Sequence, residues 1–447
     1  MKKQTIVILG SGVTGLVSAY YLSKEYSVIL VEKNGFIGGA AAGFNYKEFI
    51  LDFGPHKLYT ELPGILNEMQ KVTPLLKIKK KNSIYLNSNY FDFPLKLQQI
   101  LLKMPKKAIN AGFDIILKNI NKLPDDSYEN FLINRFGKTL YNLSFKDYAE
   151  KVWSTDPKDL SAELARRRVA ISGISELIKS ILFNKNKKIS AEYFYYPPKG
   201  IRQLLDALSD KIKENGGSVF LNSEVSEISL EDNKVKSLNL NKKEIKTDYL
   251  LSTIPLDDFA KLIGLDNESR EIEADLKYQK LNIIYFILNK QRVLKDCWVF
   301  FPEKRFIFQR ISEQKAFSNQ LGPENKTVLM VETTKEVNEN LINEIIAQLE
   351  SIKVFDKKDI DESFVKSYNK SYPIYKKEFK RPLNKIIKKI ESIKNLYSLG
   401  RAGLFNYNNM DQCWDMALKV SEQIKENKTL EDWKKTKEYF ESYRIVD

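Results

Sequence analysis

The chain is poor in the residues on which much catalytic and structural chemistry depends. Of its 447 residues, two are cysteine and one is histidine. Cys297 and Cys413 stand far apart without metal-ligand spacing. This argues against a disulfide framework and a cysteine metal site, and it suits a reducing cytoplasm. No metal is expected. No apolar run reaches the roughly 20 residues of a membrane span. The opening MKKQTIVILG has an apolar run of only about five residues before a glycine turn, too short for the apolar region of a secretory signal. A soluble, cytoplasmic protein is therefore expected. Internal repeats and long disordered linkers are also missing.

What is present suits a large, well-packed protein. The length predicts about two or three domains, and 43% hydrophobic with 12% aromatic residues suffices for packed interiors. The net charge of +14 would by itself suit nucleic acid or an anionic membrane surface. The lysines, however, are scattered through segments such as Lys79–Lys81 and Lys185–Lys188. No basic helix is interleaved with stacking aromatics, and no nucleic-acid motif occurs. The reading is a solvated Lys/Asn-rich surface that also attracts anionic substrates, with nucleic acid excluded as a partner.

Ile6 to Glu32 reads IVILGSGVTGLVSAYYLSKEYSVILVE: an apolar run, a glycine cluster, a helical stretch and a second apolar run. Gly10, Gly12 and Gly15 fit G-x-G-x-x-G between a strand and a helix, the setting in which that motif binds a dinucleotide. Gly10 permits the tight turn, Gly12 leaves room for a pyrophosphate, and Gly15 lets the helix pack on the strand. The helix N-terminus offers free N–H groups and a positive dipole end to phosphates. Glu32 stands where an acidic side chain receives ribose hydroxyls. These features alone admit NAD or FAD. Gly35, Gly38, Gly39 and Gly43 then form a loop whose backbone can approach a cofactor, and a strand-like segment leads to Gly54-Pro55-His56.

From about Pro94 to Leu182, apolar residues recur three and four apart, in LQQILLKM, YENFLINRFG and LYNLSFKDYAEKVW, the period of amphipathic helices. The basic piece from Leu95 to Ile120 could lie on a membrane surface, but packing on a neighbouring helix is the preferred reading. YPPKGIRQLLDALSDKIKENGG and the following strands through Pro255 read as a return to the nucleotide domain. Residues 278–333 alternate apolar and polar, which suits an antiparallel sheet. The expected fold is α/β plus α+β. A discontinuous Rossmann-like nucleotide domain (1–62, 196–265, 390–447) is accompanied by a helical substrate subdomain (94–185) and an antiparallel-sheet substrate domain (63–93, 266–389).

With these residues laid out, the chain resembles the flavoproteins with a glutathione-reductase-type FAD domain, and within them UDP-galactopyranose mutase and related sugar-nucleotide mutases. GSGVTG, Glu32 and GGAAAGF resemble the family's FAD adenosine and pyrophosphate region. GPHKLYT resembles its segment near the isoalloxazine, with His56 at the first histidine and Tyr59 where bacterial mutases usually carry a second. KDYAEKVWSTDPKDLSAELARRR resembles the KxYxEKxW stretch and the arginine beyond it. GRAGLFNYNNMD resembles the closing flavin segment, with Asn409 replacing a common acid. FAD is then favoured over NAD.

The resemblance implies roles residue by residue. Gly10, Gly12, Gly15, Glu32, Gly38, Gly39, His56, Arg401, Tyr407 and Met410 would bind FAD. Tyr148 and Trp153 would belong to a nucleobase pocket, and Tyr372 and Tyr407 would sit near the sugar phosphate. Arg310 would grip the substrate diphosphate. Arg167, or its neighbour Arg166 or Arg168, would match a substrate-site arginine. His56, Arg310 and Arg167 are the implied catalytic residues. Guanidinium forks suit a diphosphate because their planar donors pair bidentately with phosphate oxygens, and aromatic faces suit a base. The implied reaction interconverts pyranose and furanose forms of a nucleotide hexose through an adduct at N5 of reduced FAD, for cell-surface polysaccharide synthesis. A homodimer is allowed for.

The main rival is an FAD-dependent oxidase or desaturase of the amine oxidase or protoporphyrinogen oxidase type. It shares the fingerprint, the Gly38-Gly39 loop, the YPPKG block and the final Gly400-Arg401 turn. The segment between Val169 and Tyr196 departs from typical mutases, and the chain is longer than they are, which favours this rival. Trp153, Arg167 and Arg310 discriminate, since an apolar substrate needs no diphosphate clamp. A third class is a non-enzymatic flavin- or surface-binding protein that works through its positive charge.

Overall fold

The computed structural model describes residues 3–93, 95, 97–117, 122–168 and 191–445. A strand covered on both faces needs apolar residues at nearly every position. Thr5–Leu9 (TIVIL) and Ser27–Val31 (SVILV) meet that need. They form the middle of a parallel five-stranded sheet ordered Leu396–Ser398, Tyr249–Ser252, Thr5–Leu9, Ser27–Val31 and Ser218–Phe220. Three distant stretches of chain therefore supply one sheet. Helices Val13–Ser23, Gly200–Glu214 and Met410–Lys425 close over it, sharing a core in which Ile6, Ile8, Leu16, Leu204, Leu251 and Trp414 are fully buried.

A second sheet has seven strands, ordered Ile360–Pro373, Tyr278–Leu288, Thr327–Thr333, Arg310–Glu313, Trp298–Phe300, Asn82–Leu86 and Asn89–Asp92. Its pairings are antiparallel except where Trp298–Phe300 runs parallel to Asn82–Leu86. Along the chain, the helices Leu97–Lys103, Pro105–Leu117, Tyr128–Ser144, Lys146–Trp153 and Ala162–Arg168 follow the strand Asn89–Asp92. The expected mixed architecture, with a parallel sheet and a largely antiparallel one, is found, accompanied by three smaller sheets among the described residues. The helical pattern read beyond Arg168, and the segment from Val169 taken to depart from typical mutases, lie outside the described residues as far as Ser190.

Asp52 ties these parts together. Its carboxylate accepts hydrogen bonds from the Tyr196 hydroxyl (2.5 Å) and from the backbone N–H of Ile201 (3.2 Å) at the start of a helix. Its own N–H donates to Gln314 Oε1 (3.0 Å), and its carbonyl accepts from the Tyr285 hydroxyl (2.8 Å). Complete burial raises its pKa to about 7, against the lowering effect of the bonds to its oxygens. The folded state therefore holds a proton that the unfolded chain has released between about pH 4 and pH 7, and stability falls as pH rises through that window. Asp52→Asn keeps the shape without the titration. In thermal melts from pH 4 to pH 8 the variant should lose this slope, gaining up to about 4 kcal/mol over the parent at the alkaline end. Parallel curves for the two proteins would refute this.

Candidate active site

Ligands of open α/β sheets lie beyond the C-terminal ends of the strands. Here that edge carries the Gly10 loop and Glu32. At Gly15 an added Cβ would fall 1.9 Å from the carbonyl oxygen of Gly10. At Gly10, which adopts φ +93, it would meet Thr253 Oγ1 at 2.6 Å. At Gly12 it would meet no atom within 4 Å. Gly10 and Gly15 are thus required by the fold, whereas Gly12 borders open space at the N-terminus of the Val13–Ser23 helix, where backbone N–H groups favour an anion. The second glycine loop lies directly across, as Gly38 bridges Gly12 and donates its N–H to the Ser11 carbonyl (2.8 Å).

Glu32 is buried, and each carboxylate oxygen accepts two hydrogen bonds. One takes the N–H (3.0 Å) and hydroxyl (2.8 Å) of Ser11, the other the N–H (2.9 Å) and side-chain amide (2.7 Å) of Asn34. A ribose hydroxyl reaching Glu32 must therefore displace the Ser11 hydroxyl or the Asn34 amide, both of which can rotate away.

Farther along, His56, Arg310 and Arg401 converge. Burial first, then the charges of Arg401 and Arg310, lower the His56 pKa to about 3, against a raising bond to the Ala40 backbone. The imidazole is neutral at ordinary pH, and its Nδ1 is buried without a hydrogen-bond partner. Arg401 is held by carbonyls: Nε donates to Asn408 (3.0 Å) and Nη1 to Ser371 (3.2 Å). Its guanidinium lies over Tyr372 (5.0 Å) and Tyr407 (5.9 Å). Met410 begins the adjoining helix, and Asn409 donates its N–H to Gln412 Oε1 (2.9 Å) as part of that helix's cap. Tyr59 donates its hydroxyl to Glu61 (3.0 Å).

Trp153, Tyr372 and Tyr407 form an aromatic triad, with ring centroids 5.4 to 6.2 Å apart. Tyr148 stands edge-on to Phe300 at 6.0 Å. Arg310 faces Glu332 across neighbouring strands and makes a two-point ion pair with it (Nε–Oε1 2.7 Å, Nη2–Oε2 2.9 Å). Burial opposes its charge, but Glu332 more than offsets that and holds the guanidinium's pKa above its usual value. Glu332 takes two of the five N–H donors and leaves three for an anion.

Of the three arginines that the resemblance leaves as candidates, Arg167, named first, is buried with its donors spent on Glu163 (2.9 and 3.2 Å) and Asn406. Arg168 instead lies over Trp153 and Tyr407, 5.5 Å from each, while Arg166 is exposed and crosses Phe131. Consecutive helical residues point about 100° apart, so only one of three adjacent arginines can face the triad. Two further residues were missed. Glu332 has no local signature. Lys151, inside the KDYAEKVW motif, donates to the carbonyls of Phe301, Glu303 (2.9 Å), Phe306 (3.3 Å) and Phe308 (3.0 Å). It thereby fastens the loop before Arg310 to the helix that carries Tyr148 and Trp153. Its place beside those two residues in the motif was the available signal.

Residues 13–352, more than half of the chain, match the family described as flavin containing amine oxidoreductase. Among curated relatives, coproporphyrinogen III oxidase of Staphylococcus aureus is 23% identical over 294 residues, covering 59% of this chain and 63% of the oxidase. A probable UDP-galactopyranose mutase of Klebsiella pneumoniae is 22% identical over 443 residues, 95% of each chain. Among solved structures, reduced UDP-galactopyranose mutase superposes with a TM-score of 0.82 at 20% identity, covering 96% of this chain and 95% of the other. At that identity the superposition shows a shared fold.

Proposed function

The chain belongs to the flavin-containing amine oxidoreductase family, and from that footing we propose that it is an FAD-dependent mutase interconverting ring forms of a nucleotide hexose. The observation that carries this reading is the convergence of Arg168, Arg310 and Arg401 on the triad Trp153, Tyr372 and Tyr407, beside His56. Several guanidinium ions match a diphosphate, whereas an amine carries no anionic group for them.

FAD fits the residues present. The open approach at Gly12 suits its pyrophosphate, Glu32 its ribose, and the orphaned Nδ1 of His56 a polar edge of the flavin ring. Arg401 and the helix N-terminus at Met410 would also contribute to holding the flavin. Bound and reduced, FAD would supply a nucleophilic nitrogen to the anomeric carbon of the sugar. The chain's own residues do the rest. Half-buried Tyr148 gives a nucleobase stacking area, while Trp153, only 1% exposed, backs the site as the packed member of the triad. The three free N–H donors of Arg310, with the charges of Arg168 and Arg401, stabilise the diphosphate as negative charge develops on its leaving oxygen. Neutral His56 adds no charge and can accept a hydrogen bond at Nδ1. Tyr372 and Tyr407 wall the sugar from water. The product would feed cell-surface polysaccharide synthesis.

The test is anaerobic incubation of dithionite-reduced protein with UDP-, GDP- and dTDP-hexoses, followed by chromatography. A ring isomer of one sugar nucleotide is expected, formed only by the reduced protein. Failure to bind any sugar nucleotide, together with oxygen-dependent oxidation of another substrate, would replace this reading with the oxidase one.

A further inference from the structure

The helices Leu97–Lys103 and Pro105–Leu117 are apolar on two sides. Toward the protein they bury Ile100, Met104 and Ala111 in the main core. On the side turned away, Leu102 is 83% exposed, Phe113 60%, Ile109 59% and Leu101 56%. Ile109 and Phe113 are four residues apart and so share one face of their helix. A helix apolar all round is ordinarily covered on every side, and four large apolar side chains this exposed on one short hairpin point to an interaction surface.

The exposed charges carried by the two helices themselves are all positive. Lys103, Lys106 and Lys107 are exposed between the two pairs of apolar residues. Lys103 also donates to the carbonyl of Tyr90 (2.6 Å), a residue that is itself 44% exposed at the neighbouring hairpin. Asp114, the one acid of these two helices, turns inward and accepts the N–H of Thr139 beside the Gly137 kink. Leucine and phenylalanine flanked by lysines, with a tyrosine at the margin, is the composition of a surface that lies in a lipid headgroup layer. No helix among the described residues is long and apolar enough to cross a membrane, so such contact is peripheral.

We propose that this hairpin docks the protein on an anionic lipid surface, with Leu101, Leu102, Ile109 and Phe113 entering the headgroup–acyl boundary and Lys103, Lys106 and Lys107 pairing with lipid phosphates. Charge complementarity selects this occupant: each lysine near an anionic surface strengthens partitioning roughly fivefold. The inference does not depend on which reaction the flavin serves.

The test is sedimentation of the full-length holoprotein with vesicles of phosphatidylcholine alone and of phosphatidylcholine mixed with phosphatidylglycerol. Binding to the mixed vesicles, weakened by salt, is expected. The double variant Leu102→Asp/Phe113→Asp should lose it by at least about tenfold, because two acids then oppose the lipid charge at the apolar contact. Both positions are exposed, so flavin content and thermal melting should stay at parental values. Absence of binding to mixed vesicles, or equal binding by the variant, would overturn the proposal. So would a parental dimer in sedimentation velocity that the variant converts to monomer, since the face would then be covered by a second copy.

Discussion

Arg310→Lys is expected to lower kcat/KM for the sugar nucleotide by about a hundredfold to a thousandfold, the cost of removing a well-placed donor to a developing oxyanion. The flavin-to-protein ratio should stay unchanged. The reason is donor arithmetic. Arginine satisfies Glu332 with Nε and Nη2 and still directs a rigid pair of nitrogens at the site. A lysine ammonium is a single point that can sit on Glu332 or on the diphosphate, but not on both in that geometry. Lysine is the better probe than alanine. Arg310→Ala would leave Glu332, only 3% exposed, without its partner, a change that costs roughly 3–5 kcal/mol of stability and would blur the kinetic result. Steady-state kinetics with the substrate found in the nucleotide-sugar panel, alongside flavin absorbance and a thermal melt, decides the matter. Full turnover in a folded, flavin-replete Arg310→Lys protein would remove Arg310 from the diphosphate site.

The second large effect separates two glycines three positions apart. Gly15→Ala should give a protein that fails to fold or melts far below the parent. Its Cβ would sit 1.9 Å from the backbone oxygen of Gly10, and strand and helix cannot part without breaking the buried core around Leu16 and Ile8. Overpacking of that kind costs about 1–3 kcal/mol where neighbours can yield, and more here because the obstacle is backbone. Gly12→Ala meets nothing within 4 Å, so the apoprotein should melt within about 1 kcal/mol of the parent. It should nevertheless bind FAD at least about a hundredfold more weakly, because the methyl occupies the approach of the pyrophosphate. Flavin titration and apoprotein melts on the two variants give opposite patterns if this holds. Unimpaired flavin binding by Gly12→Ala would move the pyrophosphate elsewhere.

Much of the parallel sheet was legible because its signals are local. Thr5–Leu9, the glycine cluster and Ser27–Val31 follow one another within a single βαβ unit, and continuous apolar runs specify strands covered on both faces. Strands expected across residues 278–333 are also found, but Tyr278–Leu288 and Thr327–Thr333 are buried almost throughout and not on alternate residues, because both faces of the sheet are covered there. The hairpin at 97–117 was legible as helix but not in its surroundings. Packing was the preferred reading, and Ile100, Met104 and Ala111 do pack, but the sequence pattern could not show that the opposite side is left exposed among the described residues.

The sequence by itself determined the glycine-lined edge of the parallel sheet and the kinds of side chain available to a site, since glycine steric demands and guanidinium donors are properties of single residues and short spacings. Only the tertiary structure decided which of those side chains meet. Arg310 finds Glu332 because two strands pair in a register that sets them opposite. Lys151 reaches the carbonyls of Glu303 and Phe308 from a helix about 150 residues away in the chain. Arg168, not Arg167, covers Trp153 because the rotation of one short helix leaves room for a single guanidinium there. Each of these choices depends on the register or rotation of an element relative to a distant partner, and a one-residue change in either reassigns the site without altering any local pattern.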